Sequence, residues 1–106
     1  MEKTIKIDGK EVRLVANGST PRLYRALFHT DVFGDMATAV DDAGNIHSAE
    51  VFENLAFVMA KQGGLDTDID TWLAGMESPT AIIEAAPEVI NIWVATTTTT
   101  VSGKKK

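Results

Sequence analysis

Cysteine is absent from the 106 residues of this chain, which excludes disulfide bonds and any chemistry that uses a thiolate. Long apolar runs are absent as well, because none approaches the roughly 20 residues that a membrane-spanning helix needs. Residues 1–6 contain no apolar segment of the kind found in signal peptides. We therefore expect a soluble, cytosolic protein, and the length predicts a single domain.

Catalytic and phosphate-binding motifs are also missing. The sequence has no HExxH pair, no spacing typical of a catalytic triad and no glycine-rich phosphate loop. His29 could form an acid–base or metal cluster with Asp31 or Asp35, but a structural histidine is the simpler interpretation. Glu50 and Glu53 lie one helical turn apart, as expected of a solvent-exposed face. The sequence therefore predicts no enzyme, no cofactor and no metal centre.

Basic residues are scarce in most of the chain. Residues 1–30 hold six Lys or Arg against three acids, whereas residues 31–94 hold twelve acids and only Lys61 as a base. This separation suits head-to-tail self-association by electrostatic attraction, although an unevenly charged solvated surface is an equally good interpretation. The net charge of −5 argues against nucleic acid as the main partner.

The N-terminal segment has the alternation of a β-hairpin. Ile5 and Ile7 alternate with polar residues, as do Val12 and Leu14, and Asp8-Gly9 between them is a strong two-residue turn signal. This turn places Ile7 opposite Lys10, Lys6 opposite Glu11 and Ile5 opposite Val12. Ile5, Ile7, Val12, Leu14 and Ala16 then share one apolar face that must rest on helices.

Helical spacing dominates the rest of the chain. Thr20 with Pro21 predicts a helix start at 20, with Thr20 as the capping residue. A second helix, or a bent continuation of the first, is expected over 32–40. Further helices are expected after a Ser48 cap up to Gly63-Gly64, and over 71–76 with Asp70 as the cap.

Ser78-Pro79 is expected to open a last helical region, which Pro87 should kink or restart. We predict an α+β, mostly α fold in which the hairpin packs on a bundle of four to five helices. Residues 1–95 are expected to form the domain, and residues 96–106 a flexible tail rich in Thr and Lys.

One acidic stretch resembles a calcium-binding loop. Asp66, Asp68, Asp70 and Glu77 occupy positions 1, 3, 5 and 12 of that pattern. The glycine required at position 6 is replaced by Thr71, and the acids also suit the start of a helix. A small acidic regulatory or calcium-binding domain that uses 66–77 is therefore the alternative to the main interpretation.

Aromatic side chains are either core residues or contacts for a partner. Tyr and Trp are enriched where proteins bind one another. The candidate partner-binding residues are Tyr24, Phe28, Phe33, Phe57, Trp72 and Trp93.

The order of these residues resembles a known family, the tail assembly chaperones of long-tailed bacteriophages and prophages of Gram-positive bacteria. The family signature is similar to the run Thr20-Pro21-x-x-Tyr24-Arg25-x-x-Phe28-x-x-Asp31-Val32-Phe33-x-Asp35. Residues 54–62, Trp72-Leu73 and the run from Ala86-Pro87 to Trp93 are similar to its middle and C-terminal parts. The chain departs from the family at His29, where glycine is frequent, and in the loop at 41–45.

This resemblance implies a binding role without catalysis. Such chaperones bind the long helical tape measure protein, keep it soluble and are displaced as the tail tube polymerises. The resemblance further implies several associated copies, and a longer frameshifted form that engages the tail tube protein. Gly103-Lys104-Lys105-Lys106 is compatible with a slippery adenine-rich codon run. The expected location is the cytoplasm of the bacterial host and not the mature virion, with no membrane or nucleic-acid partner.

Overall fold

A two-stranded hairpin and a set of helices make up the computed structural model, which describes the backbone of residues 1–104 and side chains through residue 97. The elements are β1 Glu2–Ile7, β2 Lys10–Val15, α1 Thr20–Phe28, α2 Val32–Ala39, α3 Ala49–Gln62, α4 Ile69–Ala74 and α5 Ala81–Lys104. The predicted α+β, mostly α architecture is confirmed, with five helices among the described residues.

The hairpin has the predicted register. Ile7 pairs with Lys10 and Ile5 with Val12. Asp8 and Gly9 have φ angles of 58° and 79°, and two positive φ angles match the strand twist in a two-residue turn. The pairing extends to the chain start, where Met1 and Ala16 exchange backbone hydrogen bonds of 2.8 Å.

Helix α3 lies at the centre of the fold and contacts β2, α1, α2 and α5. It begins where predicted, because the Ser48 hydroxyl accepts a hydrogen bond from the Val51 amide at 3.4 Å. Its second half is buried on every side, which explains why apolar residues there exceed a single stripe. The buried residues of α3 are Phe52, Leu55, Ala56, Phe57, Val58, Met59 and Ala60.

Gly63 ends α3 and touches the hairpin. A Cβ atom placed on Gly63 would lie 2.1 Å from the carbonyl oxygen of Arg13 on β2. The Arg13 guanidinium donates back to the Gly63 carbonyl at 3.2 Å. The end of α3 and the outer edge of β2 therefore meet backbone to backbone, a contact that only glycine permits here.

Two predicted helix caps are wrong. Ser19, not Thr20, is the N-cap of α1, and it makes no capping hydrogen bond with its side chain. The Thr20 hydroxyl is buried, accepts from the Asn17 amide at 2.9 Å and donates to Gln62 Oε1 at 2.6 Å. A tertiary contact with the end of α3 thus replaces the local capping bond.

The cap of α4 differs by two residues from the prediction. Asp68, not Asp70, is the N-cap, and its carboxylate accepts from the Thr71 amide at 2.7 Å. The helix begins at Ile69, so Asp70 falls in its first turn. A carboxylate there is still favourable, because the helix N-terminus carries a partial positive charge.

Helix α5 is continuous across Pro87. Of the predicted kink or restart at this residue, the restart is therefore wrong, and the kink stays a prediction. Pro87 is exposed, and its ring therefore meets water instead of the core.

The helix backbone extends past the predicted domain boundary at 95 and includes Thr96 and Thr97. The rest of the predicted tail lies outside the residues whose side chains the structure describes. None of the described helices combines the length and hydropathy that crossing a membrane requires.

Asp8 anchors the hairpin turn to the segment before α5. Its carboxylate accepts from the amides of Glu77 at 2.9 Å and Ser78 at 3.4 Å. We expect Asp8→Gly to lower the free energy of unfolding by about 1 kcal/mol, because it removes both acceptors although glycine suits the turn better. Asp8→Asn keeps one acceptor oxygen and is the matched control. Urea titration of both variants measures the difference, and equal stability of wild type and Asp8→Gly would contradict this role.

Candidate functional site

An exposed aromatic residue on α2 marks the first candidate binding surface. The side chain of Phe33 is 52% exposed, and its ring lies 5.3 Å from that of Trp93 on α5. The Asp31 carboxylate caps α2 and accepts from the Phe33 amide at 3.4 Å. The first helical residue, Val32, is buried in the core, whereas the next residue, Phe33, lies on the exposed side of the helix.

Phe33 and Trp93 form one side of an apolar groove of about 430 Å³, which we call the Phe33–Trp93 groove. Its lining residues are Asn17, Gly18, Pro21, Phe33, Trp93, Thr96 and Thr97. The hydroxyls of Thr96 and Thr97 donate to the carbonyls of Ile92 and Trp93 at 2.8 and 3.1 Å. Because these donors are engaged within α5, the threonines contribute mainly their methyl groups to the groove.

Val94, next to Trp93, is 48% exposed and extends the apolar surface along α5. Sequence reasoning did not select it, although a signal existed. Five of the six residues at 89–94 are apolar, which is more than one helical face can bury against a core.

A second groove, of about 280 Å³, lies between α1, α3 and the start of α4. We call it the Leu27–Ile69 groove. Its lining residues are Leu27, Phe28, Phe57, Lys61, Asp66, Thr67, Asp68 and Ile69. Leu27 is 38% exposed and was not among the predicted contacts. Three charged side chains line this groove, so it is more polar than the Phe33–Trp93 groove.

The six predicted contact residues form three ring pairs and do not form one surface. Besides Phe33 with Trp93, the rings of Tyr24 and Phe28 lie 5.2 Å apart, and those of Phe57 and Trp72 lie 5.8 Å apart. Tyr24, Phe57 and Trp93 are buried, whereas Phe28 and Trp72 are half-buried. Phe33 is the one member of the six that presents most of its ring to solvent.

Tyr24 belongs to a polar cluster beneath α1. Its hydroxyl donates to Asp35 Oδ2 at 2.9 Å, and the Thr30 hydroxyl donates to the same oxygen at 2.5 Å. Burial, followed by the hydrogen bond and the charge of Asp35, raises the pKa of Tyr24 to about 12. A phenol with so high a pKa stays protonated at neutral pH, so Tyr24 acts here as a hydrogen-bond donor that links α1 to α2.

The loop at 41–45 is organised by a single carboxylate. Asp41 accepts from the amides of Ala43 and Asn45 at 3.0 and 2.9 Å, and His47 Nε2 lies 2.9 Å from Asp41 Oδ2. The hydrogen bonds from His47 and Asn45 lower the pKa of Asp41 to about 2. These contacts close a turn between Val40 and Ile46, which form a β-bridge.

His29 has a backbone role. It ends α1 in the left-handed conformation with φ of 63°, and its amide donates to the Arg25 carbonyl at 2.8 Å. Asp31 and Asp35, its proposed partners in an acid–base cluster, bond instead to the Phe33 amide and to Tyr24 and Thr30. Glycine adopts this conformation more readily than other residues do.

Metal-binding geometry is not found in the part of the chain that the structure describes, where no three His, Asp or Glu side chains group around a common point. Asp68 of the calcium-loop pattern is engaged in capping α4. The calcium-binding alternative stays a prediction, and calorimetric titration with calcium is its direct measurement.

No protein-family model matches the chain, and no curated protein or solved structure matches it with significance.

Proposed function

We propose that the chain is a binding protein without catalytic activity, and that it acts as a tail assembly chaperone for the phage tape measure protein. The observation that carries this proposal is the exposed Phe33 ring, set against Trp93 over an apolar groove. The family resemblance supplies the identity of the client and rests on the residue pattern alone.

The shape of the groove suits a helical client. It lies between the start of α1, the outer side of α2 and the middle of α5. An amphipathic helix can place apolar side chains three and four residues apart into such a surface. A tape measure protein exposes many such helical segments, so one groove on each of many copies would cover it along its length.

Weak contacts suit a chaperone that is later displaced. Phe33 offers one large ring, and a single aromatic anchor contributes only part of the binding free energy of a stable complex. Self-association of copies along the client would add binding strength through multivalency. We further propose that a frameshifted longer form recruits the tail tube protein, and that the chaperone stays in the host cytoplasm. An adenine-rich slippery sequence at codons 104–106 with an open −1 frame would support this longer form.

Phe33→Ser is expected to abolish most of the chaperone effect. The variant removes the exposed anchor of the Phe33–Trp93 groove, so we expect the affinity for the client to fall about tenfold or more. The measurement is the soluble fraction of a tape measure protein from the same genome, co-expressed with each variant. Because Phe33 is 52% exposed, its replacement should change the thermal midpoint little.

Leu27→Ser is the matched control, since it removes an exposed apolar side chain from the Leu27–Ile69 groove. It should leave the soluble fraction of the client unchanged. A folded Phe33→Ser variant that solubilises the client as well as wild type does would refute the assignment of this groove.

A further inference from the structure

The two edges of the hairpin differ in their surroundings. At the outer edge of β2, the Arg13 carbonyl packs against Gly63 so closely that a Cβ would approach to 2.1 Å. Along β1, by contrast, Glu2, Lys3, Thr4 and Lys6 are all exposed. Strand β1 has β2 as its one neighbouring strand among the described residues. Helix α5 also contacts β1, but no backbone hydrogen bond to Glu2, Thr4 or Lys6 forms outside the hairpin among the described residues. One edge of the sheet is therefore covered by α3, and the backbone of the other edge is unpaired.

The open edge of β1 presents backbone donors and acceptors. Met1 and Ala16 exchange both of their backbone hydrogen bonds, and such pairs alternate with pairs that share none. In the observed register, the pairs that share no backbone hydrogen bond include Glu2 with Val15, Thr4 with Arg13 and Lys6 with Glu11. The N–H and C=O groups of Glu2, Thr4 and Lys6 therefore point away from β2.

These three residues form a self-complementary set. If a second β1 runs antiparallel to the first with Thr4 opposite Thr4, then Glu2 of each copy lies opposite Lys6 of the other. This register pairs all three outward-pointing residues, whereas a shift of two residues leaves one of them unpaired. Opposite charges directly across two strands stabilise a sheet, and like charges destabilise it.

We propose that the exposed edge of β1 is a docking site for a second copy of this chain, joined as an antiparallel β1–β1 pair centred on Thr4. The two hairpins then form a four-stranded sheet around a two-fold axis. The inference rests on the strand register and does not depend on the identity of the client.

The neighbouring contacts support this pairing. Glu2 already accepts from Arg13 Nε on the same exposed face at 2.9 Å, and this bond and charge lower the pKa of Glu2. The carboxylate of Glu2 is therefore ionised and held in place on the face where Lys6 of the second copy would arrive. A two-stranded sheet is also marginal by itself, so two further strands would reinforce it.

Charge reversal tests the pairing on the purified chain, with sedimentation velocity over a dilution series as the measurement. Glu2→Lys and Lys6→Glu each replace two attractive pairs in the dimer by two repulsive ones. Each variant should raise the dissociation constant of the dimer about tenfold or more. An equal mixture of the two variants should regain association, because each lysine then faces a glutamate. Asp42→Lys makes the same charge change as Glu2→Lys at an exposed position of the loop at 41–45, away from the hairpin, and it should leave the constant unchanged.

Thr4→Pro is an independent test, because it removes an outward N–H that the hairpin itself does not use. It should abolish the dimer while circular dichroism shows an unchanged fold. The proposal is overturned if wild type stays monomeric up to millimolar concentration. It is equally overturned if a dimer forms but the charge reversals and their mixture leave its dissociation constant unchanged, since another face would then hold the copies together.

Discussion

Gly63→Ala is expected to destabilise the protein more than the replacement of any other glycine by alanine. The new Cβ would lie 2.1 Å from the Arg13 carbonyl oxygen and 2.9 Å from its carbon. Both atoms belong to the backbone of a paired strand, so no flexible side chain can move aside. Strand β2 must instead shift away from α3, which loosens the packing of Leu14. We expect a loss of about 3 kcal/mol or more in the free energy of unfolding.

Equilibrium unfolding in urea measures this loss. Gly34→Ala in α2 is the matched control, because the nearest atom to its Cβ would be Asp31 Oδ2 at 3.9 Å. Alanine is the better helix former, so this control should gain up to about 1 kcal/mol. A Gly63→Ala variant that unfolds at the same urea concentration as wild type would show that β2 and α3 are not in the close contact described.

Tyr24 is expected to ionise only in strongly alkaline solution, and to make stability fall as the pH approaches that range. Its pKa is about 12 in the folded protein and about 10 in an unfolded chain. The unfolded state therefore loses its phenolic proton first. The stabilisation is complete below pH of about 10 and is lost as the pH rises toward 12, and solvent screening reduces the loss to about 1 kcal/mol.

The sequence makes this measurement direct, because Tyr24 is its single tyrosine. The ultraviolet absorbance of tyrosinate, followed against pH, reports on this residue alone. The Tyr24→Phe variant should lack the part of the alkaline loss of stability that is due to Tyr24. The lysines titrate in the same pH range in both proteins, so the difference between wild type and variant reports on Tyr24. Titration of Tyr24 near its ordinary pKa while the chain is folded would contradict the buried hydrogen bond to Asp35.

Local signals were sufficient to predict the hairpin and α3. Asp8-Gly9 sets the turn and hence every pair in the register, while Ser48 and Gly63 mark the ends of one long apolar segment. The role of Thr20 could not be predicted from local signals. Its hydroxyl bonds to Gln62, a residue 42 positions away, and no local pattern contains that contact. The cap of α4 was predicted at Asp70, but Asp68, an acid two residues earlier, is the cap.

The candidate site was only partly predictable for a related reason. Composition identifies aromatic residues but does not state which side of a helix meets the core. Val32 and Phe33 are adjacent and similarly apolar, yet the first is buried and the second is exposed. Tyr24 was one of the predicted contact residues, yet its side chain on α1 is fully buried. Exposure follows from the position of neighbouring helices, which a single sequence does not encode in any local motif.

The left-handed backbone at His29 governs which substitutions the end of α1 can accept. The backbone amide of His29 donates a hydrogen bond to the Arg25 carbonyl, and this bond closes the helix. It does not involve the imidazole, so another side chain could replace the imidazole without loss of the bond. Glycine or asparagine would preserve the reversal of chain direction, whereas valine, isoleucine or threonine would strain it. Sequence drift at this position is thus limited by the shape of the main chain, and a homologous protein with glycine there would retain the same path from α1 into α2.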